Sequence, residues 1–328
     1  MTTTGADPLS NFDPFMLDER HAAFIRRLFE WSTSCSESAD LREHAKRSFL
    51  AGTFGWMCAP RSATEDQVFV STKFLVLFFL IDDAPSDLMN EFIDAMRGTE
   101  ATSTRGAPSP QRAEFQRYYD DLIASIHARN HDTAEFEEAL QNICLAMQEE
   151  KQADRSTWSF DQSLRNRKLV VGITCFTECW RAIRGNAFTP EVRQLIDDSG
   201  ILDITCEQAC VVNDLASFNR DADDLMNDPE NVDPNLVLSR MHELGGDRDA
   251  ALSDGVRWYN SKIEQFHRAE QALLSSAQGK DPALRDYLES LHCAIVGDLA
   301  TSKHLGPMRY ANPEQLLARL SMLDELGD

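Results

Sequence analysis

Between Cys206 and Asp221 an amide, a hydroxyl and a carboxylate stand at Asn213, Ser217 and Asp221, each four residues after the last. On a helix that spacing stacks the three side chains on one face. Three oxygen donors in a row suit a hard cation such as Mg²⁺, which prefers oxygen ligands and keeps waters or phosphate oxygens in its other positions. Arg220, two turns beyond Asn213, returns to nearly the same face, where a guanidinium can hold an anion beside the metal. The face reads as a metal and phosphate site. The competing description is a solvated polar stripe, the ordinary reason for such a pattern.

A second acidic cluster follows the most apolar run of the chain, in Phe78-Phe79-Leu80-Ile81-Asp82-Asp83-Ala84-Pro85-Ser86-Asp87. Phe78 lies one helical turn before Asp82, so an aromatic ring and a carboxylate share a wall. Asp83 and Asp87 share a face only if the helix passes through Pro85, which proline disfavours. An acidic pair before proline is also a common helix-end signal. Its position distinguishes it, because a charge closing a buried helix is costly unless a cation meets it.

These residues need a scaffold, and the chain is long enough to bury a substantial core at 328 residues. Its 54 Asp+Glu against 32 Lys+Arg give a net charge of −22, which argues against nucleic acid or an anionic membrane surface as partner. An anionic substrate would have to be met by local cations. The beginning, Met-Thr-Thr-Thr-Gly-Ala-Asp-Pro, lacks the basic and apolar regions of a signal peptide. The longest wholly apolar run, from Phe74 to Ile81, falls far short of the ~20 residues that span a bilayer. The expectation is a soluble, cytoplasmic protein. Eight cysteines occur without a Cys-x-x-Cys pair, and Cys175/Cys179 and Cys206/Cys210 have helical spacing, so buried free thiols are expected.

Apolar periodicity predicts an all-α fold, with residues 1–18 as a flexible arm and 19–328 as one domain. Helices are expected from Asp18 through Trp31, over Leu41–Leu50, over Glu65–Asp83, and over 110–129 and 133–152. Val68, Val70, Phe74, Val76 and Ile81 would also suit a buried strand, but the length of that run without Gly or Pro favours a helix. Residues 99–111 form the clearest loop. The basic group Arg165-Asn166-Arg167-Lys168 runs into an apolar stretch containing Gly172, where a break or a close ligand approach is expected. Further helices follow over 189–224, 248–276 and 282–303, with a loop at 226–234. His131-Asp132 sits in a polar turn without a second histidine at useful spacing and is set aside.

Taken together, two acidic sites on separate helices, an aromatic approach and arginines at 167, 220 and 309 resemble class I terpene synthases, most closely the microbial single-domain type. Asn213-Asp214-Leu-Ala-Ser217-Phe-Asn-Arg220-Asp221 resembles their second metal motif, in which Asn, Ser and a terminal acid bind Mg²⁺ and the basic residue binds diphosphate. Phe78 to Asp87 resembles their aspartate-rich motif, with the first Asp the main ligand. Arg167 stands where the family places a diphosphate-sensing arginine, with the helix break after it. Arg309-Tyr310 resembles their C-terminal pair that closes over diphosphate, and Asn235 to Gly245 resembles the segment after the second motif. The resemblance implies a helical bundle around a central cavity and three Mg²⁺ ions, held by Asp82, Asp83, Asp87, Asn213, Ser217 and Asp221. It implies substrate contacts from Arg167, Arg220, Arg309 and Tyr310, and catalytic roles for Asp82, Arg167, Phe78 and Phe79. Three departures stand out: Asp221 where Glu is usual, an extra residue before Asp87, and no Trp shortly before Arg309.

The implied reaction is metal-triggered ionisation of a linear prenyl diphosphate, farnesyl first and geranylgeranyl second, then cyclisation to a hydrocarbon or alcohol with release of diphosphate. A homodimer is compatible with the family. The alternatives are a prenyl-chain elongating synthase, which normally shows a second aspartate-rich motif, and a non-catalytic helical binding protein that retains the fold.

Overall fold

The computed structural model describes residues 16–38, 40–98, 109–129, 131–153, 159–227 and 235–309. Among these residues there are helices and no strand, and no helix is long and apolar enough to cross a membrane. Contacts divide the chain into two compact units, one comprising Met1–Trp56, Ser62–Gln152 and Glu178–Gly185, the other Met57–Arg61, Ala153–Thr177 and Asn186–Asp328. The expected arm, residues 1–18, lies almost wholly outside the described residues, as does most of the 99–111 loop.

In the first unit the helices are α1 (Glu19–Cys35), α2 (Leu41–Met57), α3 (Glu65–Asp82), α4 (Leu88–Met96), α5 (Pro110–His127) and α6 (Ala134–Gln152). A reciprocal capping box starts α3: Thr64 Oγ1 accepts from the Gln67 amide at 3.3 Å, and Gln67 Oε1 accepts from the Thr64 amide at 2.9 Å. Val68, Phe74, Val76, Leu77 and Ile81 are buried all round it, as befits a core helix. Even Lys73 is buried, its ammonium donating to Asp121 Oδ2 at 2.5 Å and to Ser125 Oγ at 2.9 Å on α5. The strand alternative for this run is thereby excluded. Pro85 disfavours helix at the residue before it, and α3 ends at Asp82. A further helix, α4, that the apolar pattern had not singled out, begins at Leu88.

In the second unit lie α7 (Phe160–Val170), the start of α8 (Ile173–Arg184), α9 (Pro190–Ser199), α10 (Ile201–Asn227), α11 (Leu236–Glu243), α12 (Arg248–Ser275) and α13 (Pro282–Arg309). The expected break after Arg167 is present at Gly172, whose φ of 80° is in the left-handed region glycine adopts readily. The single helix expected over 189–224 is two, because Gly200 at φ 63° ends α9 in a left-handed cap before α10 starts. The last long helix, expected to stop near 303, continues to Arg309. Val211, Val212, Leu215 and Phe218 of α10 pack in one apolar cluster with Tyr259, Ile263 and Phe266 of α12 and Leu288, Leu291 and Ile295 of α13. α10 is therefore the core helix of this unit.

All eight cysteines are free, and Cys58, Cys144, Cys175, Cys179, Cys206 and Cys210 are buried, the last four as their helical spacing implied. Burial pushes the Cys206 thiol up to about 11 and the Cys144 thiol to about 12. A thiol whose folded pKa is raised favours the folded state below the unfolded value of 9.0 and loses that contribution as pH rises through the folded value. Urea unfolding should therefore show stability falling above about pH 9, and alkylation mapped by mass spectrometry in the native protein near pH ~8 should leave Cys144 and Cys206 untouched. At Gly297 an added Cβ would lie 2.5 Å from Cys58 Cα and from the Met57 carbonyl oxygen. Gly297→Ala is expected to lower unfolding free energy by roughly 1–3 kcal/mol through overpacking, read from the urea midpoint.

Candidate functional site

α10 carries the oxygen-donor ladder as its spacing predicted. Asp214 is 1% exposed, Ser217 and Asp221 are each 2%, and Asn213 is half-buried. The face is thus an internal one, and the solvated-stripe description fails. Arg167, in the last turn of α7, reaches the head of the ladder: its Nη2 donates to Asn213 Oδ1 at 3.2 Å and to Asp214 Oδ1 at 2.5 Å. Burial raises the pKa of the Asp214 carboxyl even though Arg167 and the Leu236 amide, which donates to Oδ2 at 2.8 Å, oppose that rise.

At the other end of the ladder, Ser217 Oγ donates to Asp221 Oδ2 at 2.5 Å. Arg220 donates from Nε and Nη2 to Asp221 Oδ1 at 2.8 and 2.7 Å. The guanidinium therefore lies against the terminal acid. Asn235, just before α11, donates from Nδ2 to Asp221 Oδ2 and to the Asp214 carbonyl, both at 2.8 Å, and more weakly to Ser217 Oγ at 3.3 Å. Its own Oδ1 accepts from the Leu238 amide at 3.0 Å, an N-cap for α11. Sequence reading placed Asn235 in a family-like segment and assigned it no role. Its position at a helix start was the available signal.

The residues fit a hard cation. Asn213 Oδ1, Ser217 Oγ and the Asp221 carboxylate are all oxygen donors, and Ser217 and Asp221 present theirs together. With one carboxylate among three donors, the set leaves positions for waters or phosphate oxygens, as Mg²⁺ prefers. The replacement of Glu by Asp keeps the acid within reach of Ser217 and Asn235 rather than extended.

In the first unit, α3 ends at the aspartate-rich segment. Asp82 and Asp83 are exposed, while the half-buried rings of Phe78 and Phe79 lie 5.7 Å apart. Phe79 also meets Phe54 at 6.1 Å, and Phe78 meets Phe74 at 6.0 Å. Carboxylates at a helix C-terminus oppose its dipole. Lys151 of α6 offsets this, its ammonium donating to the carbonyls of Asp82 at 2.8 Å and Ala84 at 2.5 Å. Asp87 is an exposed N-cap of α4 whose side chain makes no capping bond, so Asp83 and Asp87 belong to different helices and the shared face considered for them does not form. Arg309 is the last residue of α13, and Tyr310 lies outside the described residues. His131, set aside above, is a structural tether: its Nδ1 stands 2.9 Å from the Ala182 carbonyl oxygen.

The family model for terpene synthase family 2, C-terminal metal binding, matches residues 73–265, a span that contains both acidic motifs and Arg167. The chain belongs to this family. It is a terpene synthase, an enzyme with a metal-binding domain. No curated protein matches its sequence. Among solved structures, the linalool/nerolidol synthase from Streptomyces clavuligerus is similar with a TM-score of 0.68 at 21% identity, over 86% of this chain and 96% of that one. A cucumene synthase variant aligns with a TM-score of 0.67 at 18% identity, over 87% and 96%. A variant of the SVS_A2 protein from ancestral sequence reconstruction aligns with a TM-score of 0.70 at 17% identity, over 87% and 83%. At such identities the likeness is one of fold, and it establishes the all-α class I terpene synthase architecture.

Truncating Asp214 leaves the Arg167 charge, only 14% exposed, without its carboxylate. Asp214→Ala should destabilise the protein by roughly 3–5 kcal/mol, whereas Asp83→Ala, at an exposed site, should stay within about 0.5 kcal/mol of the parent. Both values follow from urea unfolding monitored by circular dichroism.

Proposed function

We propose that this terpene synthase is Mg²⁺-dependent and ionises a linear prenyl diphosphate, farnesyl diphosphate first and geranylgeranyl diphosphate second, cyclising the cation to a hydrocarbon or alcohol. The observation that carries this reading is the ladder of half-buried Asn213 and buried Ser217 and Asp221, with Arg167 held at its head. The solved structure of the Streptomyces clavuligerus enzyme with 2-fluorogeranyl diphosphate supports the substrate class.

In this reading Asn213, Ser217 and Asp221 offer oxygens to the cation on α10, and Asp82 is the chief ligand of the aspartate-rich segment, with Asp83 and Asp87 beside it. Three Mg²⁺ ions are proposed by family resemblance. Bound Mg²⁺ would supply the charge that lets diphosphate depart from carbon. Arg167 and Arg220 donate charge-assisted hydrogen bonds to the diphosphate oxygens, and Arg309 and Tyr310 close over it. Phe78 and Phe79 present aromatic faces that stabilise a carbocation and contain no nucleophile to quench it. Released diphosphate can itself take the final proton. Residues 19–328 acting as one catalytic domain, a homodimeric assembly and a cytoplasmic setting complete the proposal. Neither the elongating synthase nor the non-catalytic binding protein has an observation in its favour.

Purified protein incubated with Mg²⁺ and each prenyl diphosphate, with extracts analysed by gas chromatography and mass spectrometry, should yield a cyclic terpene from one of them. Asp82→Ala and Asn213→Ala should each lower turnover by at least ~100-fold with helicity unchanged. A longer diphosphate as the product, or undiminished turnover in both variants, contradicts the proposal.

A further inference from the structure

The second metal motif is not self-supporting. Ser217 and Asp221 lie on one helix, yet the groups that orient them come partly from the residue that starts the next one. Asn235 is 5% exposed and uses both ends of its amide. Oδ1 caps α11 through the Leu238 amide at 3.0 Å, while Nδ2 points at α10 and donates to Asp221 Oδ2 and to the Asp214 carbonyl at 2.8 Å each. The Leu236 amide beside it donates to Asp214 Oδ2 at 2.8 Å. The start of α11 thus grips two carboxylates of α10, one of which holds Arg167.

A carboxylate free to rotate presents its lone pairs in many directions, whereas one whose Oδ2 is held by two donors presents a defined direction to a cation. Partners of this kind tune metal affinity without touching the ion. We infer that Asn235 is a positioning residue for the metal ligands Asp221 and Ser217, with its Nδ2 fixing the Asp221 carboxylate. A cap alone needs only an oxygen acceptor, which Ser, Thr or Asp supplies as well. The amide nitrogen is the part of Asn235 that the cap does not use.

The inference rests on the proposed metal role of Asn213, Ser217 and Asp221, and the experiment separates the two. Asn235→Ser retains a capping oxygen and deletes the amide Nδ2, the shorter hydroxyl lacking its reach to Asp221. Mn²⁺ binding in the presence of inorganic diphosphate, followed by the electron paramagnetic resonance signal of free Mn²⁺, is measured for the parent, N235S and N213A, with thermal unfolding recorded for each. The parent should bind Mn²⁺, N213A should lose most of that binding, and N235S should bind about tenfold or more weakly while melting close to the parent. Equal affinity in N235S and the parent overturns the inference alone. An N235S protein that fails to fold, or whose melting falls as far as its affinity, overturns it too, since Asn235 would then be only a structural cap. A parent that binds no Mn²⁺, or an N213A protein that binds as the parent does, removes the functional reading beneath it.

Discussion

A buried carboxylate holds the centre of the second unit together. Asp214 takes Arg167 on one oxygen and the Leu236 amide on the other, at 2.5 and 2.8 Å. Through it, α7, α10 and the start of α11 are joined by charged hydrogen bonds around a buried carboxylate. Burying a charge is tolerable only when each lone pair finds a donor, so this pair constrains where the neighbouring helices begin and end. The break at Gly172 lets α7 stop directly after it has delivered Arg167.

The same economy of donors shapes the acidic end of the ladder. Asp221 is engaged by Ser217, Arg220 and Asn235, which turns a departure from the usual family residue into a coherent local arrangement. A glutamate would reach farther. The aspartate instead stays within the network, and its orientation depends on Asn235, just before α11. In the other unit the aspartate-rich segment has a different physical setting, exposed at the end of a helix rich in buried apolar residues, with Lys151 donating to the carbonyls of Asp82 and Ala84.

The buried thiols follow from the same close packing. Cys206 and Cys210 are buried on α10 in the turns before the ladder, where a small side chain fits the packing and reactivity is suppressed by burial. Their helical spacing already implies it.

Residue order alone determined that the chain is helical, that an oxygen-donor ladder with Arg167 before it resembles a terpene synthase metal motif, and that Gly172 interrupts a helix. Each of these depends on spacing along one helix or on a backbone preference, both local properties. The boundary at Gly200, the helix over Leu88–Met96 and the continuation of α13 to Arg309 were not legible, because packing overrides weak local signals at helix ends. Only the tertiary structure decided that the polar stripe is internal, that Arg220 turns onto Asp221 and that Asn235 reaches back to the ladder. The first and last of those facts depend on which elements lie beside α10, and residues fourteen positions apart are brought together by packing that no local pattern encodes. The second is a side-chain rotation between neighbours that spacing does not set.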